Sequence, residues 1–372
     1  MIILLCFFIF WLAYNNGAND NFKGVATLYG SGLANYQKAL RWATLTTILG
    51  GVASLFLANG LVVAFSGKGL VPDALLGTPN LLIAVGGGSA LTLLLANRLG
   101  LPVSTTHALT GGLVGITLVT KGTIPTQVFL YKFILPLLLS PIIAIILATL
   151  FSNTIGHFAR RFTISKANCL CVDVGTTSTL VPQQNALATE LALPIVPLVK
   201  LGHINECAQE QNQSLIKMDL TKTLDITHYL SAGAVCFSRA LNDTPKIAAL
   251  LLIGSITYSS GMVLVLFAMM IGGLLGAKKV AEVMSHKIAN FDTAQGLSAN
   301  LVTSLLVLIA SQSGLPVSTT HVSCGAIFGI GLASKNYKWE TIKQILSAWV
   351  STFPLSALIT TVIFCLFNYL IK

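Results

Sequence analysis

The sequence predicts an all-α polytopic membrane protein of roughly ten to twelve helices, arranged as two repeats. Apolar residues make up 54% of the 372 positions and charged residues only 9%. The mean hydropathy of +0.80 lies outside the range of soluble globular domains. A helix of about 20 apolar residues can cross a bilayer, and segments of that length lie at 42–63, 80–99, 126–151, 247–275 and 342–371. We therefore expect an integral, multi-pass protein of the cell inner (plasma) membrane.

The first seventeen residues read MIILLCFFIFWLAYNNG. This run has no basic start and no small-residue cleavage site before its polar end, so it does not resemble a signal peptide. We expect it to be part of a retained membrane helix.

The heptapeptide LPVSTTH occurs twice, at residues 101–107 and 315–321. The shared text extends to GLPVSTTH-x3-G-x3-GI, in which G-x3-G is typical of closely packed membrane helices. Upstream of each copy lies a second shared element, NDNFKGVATL at 19–28 and NDTPKIAALL at 242–251. The pattern predicts a first transmembrane repeat at 1–155 and a second at 226–372. Secondary transporters are often built in this way, with the substrate site where the halves meet.

The polar stretch at 156–225 joins the two repeats and reads as a linker or a small cytoplasmic subdomain. Basic residues at its start favour the cytoplasmic side of the membrane. Four residues in it have side chains that can ligate zinc: Cys169, Cys171, His203 and Cys207. Their spacing is not that of a familiar zinc site, so free thiols in a loop are the favoured interpretation.

Two aspartates stand out because an ionised carboxylate inside hydrocarbon needs a cation, a proton or a substrate beside it. Asp20 and Asp243 occupy the same position of the two repeats, directly after Asn and three residues before Lys. They are candidates to bind a cation or a substrate. The simpler alternative is that they only pair with Lys23 and Lys246 at i, i+3. Asp292 begins an apolar segment and is expected to start a helix there.

Each LPVSTTH motif predicts a helix that starts at its proline and carries hydroxyl residues in its first turn. Free N–H groups and the positive end of the helix dipole would then face the membrane interior and form an anion site. The hydroxyl candidates are Ser104, Thr105, Thr106, Ser318, Thr319 and Thr320. The alternative is that these hydroxyls only bond back to their own helix carbonyls.

His107 and His321 close the two motifs. Histidine can carry protons near neutral pH, but these two residues can equally hold the helix starts in place through hydrogen bonds. The structural role is the favoured interpretation.

An anion and two carboxylates repel one another unless something lies between them. Sodium can bridge them, because it is a hard cation suited to carboxylate, amide and carbonyl oxygens. A proton on the anion can also do so, and phosphate at neutral pH keeps a proton or two whereas sulfate does not. The site therefore favours phosphate over sulfate.

GAND at 17–20, LND at 241–243 and the twin GLPVSTTH motifs resemble the inorganic phosphate transporter (PiT) family, over about 300 residues in both halves. The resemblance implies inverted repeats with broken or re-entrant helices at the substrate site, and often a homodimer. It implies that the six hydroxyl residues contact phosphate, and that Asn19, Asp20, Asn242 and Asp243 bind sodium, phosphate or both. The chain departs from the family at 21–26, where NFKGVA replaces small residues.

These observations predict secondary active import of inorganic phosphate by sodium symport, through alternating access and with no cofactor besides the coupling ion. Proton-coupled or metal-phosphate symport and a sulfate permease of the same fold are the alternatives. An aspartyl-dyad membrane enzyme and a passive anion channel are disfavoured, because no protease signature occurs and carboxylates penalise anion passage. The net charge of +10 is scattered between apolar segments, which favours the lipid bilayer rather than a nucleic acid as partner.

Overall fold

The computed structural model describes residues 1–161, 168–175, 196–203, 214–252 and 258–370. They form two compact units, one containing Met1–Thr154 with His228–Lys372 and the other containing Ile155–Thr227. The two predicted repeats thus share one unit, and the second unit corresponds to the polar stretch predicted at 156–225.

The helices of the first repeat are α1 (Ile2–Asp20), α2 (Ala26–Gly30), α3 (Tyr36–Leu57), α4 (Asn59–Phe65), α5 (Pro79–Leu99), α6 (Thr105–Lys121), α7 (Thr126–Phe129) and α8 (Leu135–Arg161). Those of the second are α9 (Leu220–Ala248), α10 (Tyr258–Gly276), α11 (Lys278–Glu282), α12 (Thr293–Gln312), α13 (Thr319–Ser334) and α14 (Trp339–Leu370). Short 3-10 segments lie at Asp73–Leu75 and Ala249–Leu251, and π segments at Leu130–Ile134 and Val283–Lys287. The repeat is visible in these bounds, since α5 and α6 correspond to α12 and α13.

Seven helices within the described ranges are long and apolar enough to cross a membrane. They include α1, α3, α5, α10, α12, α14 and a continuous stretch at Thr126–Phe158. The first unit is therefore an all-α, multi-pass membrane unit, as predicted, although the sequence suggests ten to twelve spans. The difference has a physical reason. Helices α6 and α13 have only 17 and 16 residues, and α9 carries Arg239, Asp243 and Lys246; these are three of the helices that hold the repeated motifs.

The G-x3-G stretches pack one repeat against the other. A Cβ on Gly111 of α6 would lie 2.4 Å from the carbonyl oxygen of Phe353 in α14. A Cβ on Gly329 of α13 would lie 2.6 Å from the carbonyl oxygen of Ile145 in α8. Both distances are too short for any side chain, so only glycine allows these backbones to approach. The predicted close packing is present, and it is reciprocal between the repeats.

The second unit contains a three-stranded antiparallel sheet in the order β2-β1-β3, with β1 at Asn168–Gly175, β2 at Val196–His203 and β3 at Ser214–Asp219. These strands were not predicted from the sequence, although apolar residues of β1 alternate with period two. Cys169 and Cys171 lie in β1, so the expectation of a loop is wrong for them, and His203 ends β2. Cys207 lies outside the described residues. No group of three or more possible metal ligands occurs among the side chains that the structure describes.

Candidate functional site

The two Asn-Asp elements lie close to the ends of helices inside the first unit. Asp20 is the last residue of α1, and a turn at 21–25 separates it from α2. Asp243 lies near the end of α9, two residues before Pro245. Asn19, Asp20, Asn242 and Asp243 are all at most 1% exposed. The carboxylates are therefore fully enclosed by protein. Because water does not surround them there, an ion or a substrate has to balance their charge.

The two LPVSTTH motifs place helix starts in the same region. Ser104 has an extended backbone and caps α6, and its Oγ accepts a hydrogen bond from the His107 N–H at 3.1 Å. Ser318 caps α13 in the same way, at 3.2 Å from the His321 N–H. The expectation that the proline starts the helix is wrong, because Pro102 lies before the helix, which begins at Thr105 after the serine cap. The threonines do occupy the first turn.

Lys23 connects the two repeats through four oxygen atoms. Its Nζ donates to Asn19 Oδ1 at 2.8 Å, to Asp20 Oδ1, and to the Val103 carbonyl oxygen at 3.1 Å. All three belong to the first repeat. The fourth acceptor, Thr320 Oγ1 at 2.5 Å, belongs to the second. We call these four oxygens the first cage.

Lys246 has equivalent surroundings, with the roles of the two repeats exchanged. Its Nζ donates to Asn242 Oδ1, to Asp243 Oδ1 at 3.4 Å and to the Val317 carbonyl oxygen at 2.9 Å. The fourth acceptor is Thr106 Oγ1 of the first repeat, at 2.8 Å. We call these four oxygens the second cage. Each lysine therefore completes its cage with a threonine from the other repeat.

The amides of Asn19 and Asn242 are held in position by their own repeats. The Asn19 Nδ2 donates to Asn97 Oδ1 at 2.7 Å and to the Leu101 carbonyl oxygen at 3.0 Å. The Asn242 Nδ2 donates to Ser311 Oγ at 2.7 Å. These bonds use the amide donors, so both Oδ1 atoms are left to face the lysines.

Asn16 lies between the two carboxylates. Its Nδ2 is 2.9 Å from Asp20 Oδ2, 2.8 Å from Thr105 Oγ1 and 3.4 Å from Asp243 Oδ2. The Thr319 hydroxyl donates to the same Asp243 oxygen at 3.5 Å. The two aspartates and the first threonines of α6 and α13 thus meet around the amide group of Asn16, a residue not predicted from the sequence as part of the site.

Arg239 is a buried cation beside this group. It is 1% exposed, and its guanidinium donates to Thr47 Oγ1 at 2.9 Å and to Asn16 Oδ1 at 3.4 Å. Its Nε has no hydrogen-bond partner among the described residues. Arg239 was not predicted from the sequence, although the offset of 223 that aligns the Asn-Asp elements also aligns Arg239 with Asn16.

The two motif histidines contact each other beside the first turns of α6 and α13. Their ring centroids are 4.4 Å apart in an edge-to-face arrangement, and the His321 ring lies 3.8 Å from the Trp349 ring. His107 Nδ1 is 3.3 Å from the Trp349 carbonyl oxygen, and His321 Nδ1 is 3.5 Å from that of Leu137. Both rings border a cavity of about 560 Å³ with mostly apolar walls. These contacts favour the structural role for both residues.

Five charged side chains form a charged cluster: Asp20, Lys23, Arg239, Asp243 and Lys246. Each is at most 2% exposed, and among the described residues no other Asp, Glu, Lys or Arg is buried. The cluster contains three cations and two anions. Because an uncompensated charge inside a protein is costly, a cluster with this balance favours an additional anion.

Three known proteins are similar to this chain. An archaeal relative from Pyrococcus furiosus, a predicted phosphate permease, is 28% identical over 95% of this chain and 93% of its own length. The chloroplastic inorganic phosphate transporter 2-1 of Arabidopsis thaliana is 26% identical over 98% of this chain and 72% of its own. The fold matches a solved structure described as the sodium-dependent phosphate transporter, with a TM-score of 0.73, 19% identity and 99% of each chain covered.

The sequence profile of the phosphate transporter family matches residues 16–360, a range that contains both Asn-Asp elements and both LPVSTTH motifs. The match extends across both repeats and the stretch between them, and the resemblance drawn from those motifs is confirmed. The chain therefore belongs to the phosphate transporter family.

Proposed function

We propose that the protein moves inorganic phosphate across the membrane as a secondary active transporter, by alternating access between its two repeats. The observation that carries the proposal is the charged cluster, in which three buried cations face two buried carboxylates. One bound phosphate anion would supply the missing negative charge. The family consists of transporters, so the protein is not an enzyme and the aspartyl-dyad alternative is not retained.

The donors around Asn16 suit a phosphate group. Thr105 and Thr319 begin α6 and α13, where unpaired backbone N–H groups and the helix dipole attract anions. The sequence predicts all six hydroxyls of the two motifs as phosphate contacts. We propose that Thr105 and Thr319, with the Asn16 amide beside them, contact the phosphate oxygens, because the two serines cap their helices and Thr106 and Thr320 complete the cages. Arg239 adds a cation whose Nε–H has no partner among the described residues. A protonated phosphate oxygen can donate to Asp20 or Asp243, which sulfate cannot do.

Reciprocal contacts between the repeats support alternating access. Lys23 holds Thr320 and Lys246 holds Thr106, so each bond joins one repeat to the other. A relative movement of the repeats would change both bonds together. Substrate sites at such repeat interfaces are a general feature of secondary transporters.

The coupling cation has two candidates. The name of the solved structure supports sodium for that protein, and the sequence predicts Asp20 and Asp243, with Asn19 and Asn242, as its ligands here. The bonds from Lys23 and Lys246 to those same four residues favour a proton instead, because they already engage these oxygens. A plasma-membrane location and a homodimer remain part of this proposal.

Uptake of radiolabelled phosphate into proteoliposomes tests the function. We expect accumulation that depends on an imposed gradient of sodium or protons and that excess unlabelled phosphate suppresses. Excess sulfate should leave it unchanged. Equal suppression by sulfate would remove the phosphate preference, and uptake that only equilibrates under every gradient would favour a channel.

A further inference from the structure

The surroundings of the two lysine Nζ atoms resemble a coordination shell more than a set of side-chain hydrogen bonds. Each cage supplies one amide oxygen, one carboxylate oxygen, one backbone carbonyl oxygen and one threonine hydroxyl. The second cage repeats the same four types. An ammonium group has three N–H donors, so four oxygens around it exceed what directed bonds require.

The chemistry of these oxygens is that of ligands for a small, hard cation. Carboxylate and carbonyl oxygens are the donors that such ions select, whereas sulfur and imidazole suit softer metals. Both cages offer oxygen atoms only. An ammonium carries the same single positive charge as sodium, so it can balance the cage charge equally well.

Both lysine side chains are enclosed by protein. Lys23 is 2% exposed and Lys246 is 0% exposed, and neither Nζ can reach water without leaving its cage. A free cation entering the cage would meet an ammonium group at the same position, and two like charges at contact distance repel strongly in a medium of low dielectric constant. The chain thus carries its own cation at each of the two positions.

We propose that the Lys23 and Lys246 ammonium groups take the place of free cations in the two cages, so that phosphate binding by this protein needs no sodium ion. The proposal rests on the proposed function, since it concerns the same site. Removal of a lysine side chain would vacate its cage and convert the protein into a sodium-requiring phosphate binder.

Two substitutions at each lysine separate the roles of charge and space. Lys23→Ala empties the first cage and leaves its oxygens free to bind sodium. Lys23→Met removes the charge but keeps a long side chain in the cage, so sodium is kept out. Lys246→Ala and Lys246→Met make the same comparison at the second cage. The alanine variants should therefore respond to sodium and the methionine variants should not.

The test measures binding of radiolabelled inorganic phosphate to the purified full chain, in sodium chloride and in choline chloride. The wild type should bind equally in both salts. In choline, Lys23→Ala should bind phosphate at least about tenfold more weakly than the wild type, because an unpaired buried carboxylate opposes anion binding. In sodium, its affinity for phosphate should return towards the wild-type value. Lys23→Met should bind weakly in both salts. Sodium-dependent binding by the wild type, or alanine variants indifferent to sodium, would overturn the proposal.

A second measurement tests whether the lysines occupy the cages independently of phosphate binding. Sodium should raise the thermal unfolding temperature of each alanine variant, relative to choline, because a ligand that binds only the folded state stabilises it. The wild type and the methionine variants should show no such shift. Absence of phosphate binding by the wild type in both salts would contradict the proposed function alone. Absence of the sodium shift in both alanine variants would contradict the occupancy of the cages.

Discussion

Arg239 donates a hydrogen bond to Asn16 at 3.4 Å, and the two residues occupy the same position of the two repeats. The repeats are thus chemically unequal at this contact between equivalent positions. Asn16 reaches both carboxylates through its Nδ2, whereas Arg239 provides a cation. This difference gives the charged cluster its positive excess.

Replacement of Arg239 should weaken phosphate binding. Arg239→Ala removes the third cation and should lower affinity about 10- to 100-fold, the range for a hydrogen bond to a charged group. Arg239→Lys should lower it less, because the charge remains. Binding of labelled phosphate to the purified protein measures both effects. Arg41→Ala, on an exposed arginine of α3, is the control, and unchanged affinity in Arg239→Ala would exclude the arginine from the site.

The two carboxylates should be essential for transport. Asp20→Asn and Asp243→Asn each remove an anion from a buried ion pair and should reduce proteoliposome uptake to the level of empty liposomes. Loss of a buried partner also costs about 3–5 kcal/mol of stability. Size-exclusion chromatography therefore has to show that each aspartate variant is folded. Glu340→Gln is a matched control, because Glu340 pairs with Lys343 at the same i, i+3 spacing but is 82% exposed. Wild-type uptake by either aspartate variant would show that this aspartate only forms a structural ion pair with its lysine.

Glycine at the crossing points of the repeats should be required for stability. Gly111→Ala and Gly329→Ala place a Cβ against a backbone oxygen, and overpacking of this kind costs about 1–3 kcal/mol. Gly156→Ala is the control, because a Cβ there meets no atom within 4 Å, and alanine is the better helix former by about 0.5–1 kcal/mol. In detergent, the thermal unfolding temperatures of Gly111→Ala and Gly329→Ala should be lower than that of the wild type. That of Gly156→Ala should equal or exceed the wild-type value. An unfolding temperature of Gly111→Ala at or above wild type would contradict the close approach of α6 and α14.

The motif histidines should affect stability rather than proton coupling. His321→Gln removes a ring that packs against Trp349 and a contact to the Leu137 carbonyl oxygen, and should lower the free energy of unfolding by about 1–3 kcal/mol. The pH profile of phosphate uptake should keep its midpoint. Measurement of uptake at a series of pH values decides the matter, since a displaced midpoint would identify His321 as a proton carrier.

The repeated motifs predicted the elements of the site but not its connections. Asp20 and Asp243 could be found because carboxylates are rare in apolar segments, and Asp292 does begin its helix, with a capping box to Gln295. The pairing of Lys23 with Asp20 follows from i, i+3 spacing. Its bond to Thr320 depends on how distant helices cross, which no local pattern contains.

Two further differences have identifiable causes. Arg239 lies in no motif, and a lone arginine in a polar helix gives no local signal, so only its alignment with Asn16 could have revealed it. The helix start after Pro102 was placed too early because the serine cap competes with proline for the role of first residue.

The exchange of threonines between the cages has a consequence for how the protein assembles. Neither repeat contains a complete set of four oxygens, since each obtains its hydroxyl from the other. A half-length chain would bury a lysine without its fourth contact and would have no finished site. The proposed phosphate site is therefore complete only when the two repeats have docked correctly, so that ligand binding would itself report correct assembly of the two repeats.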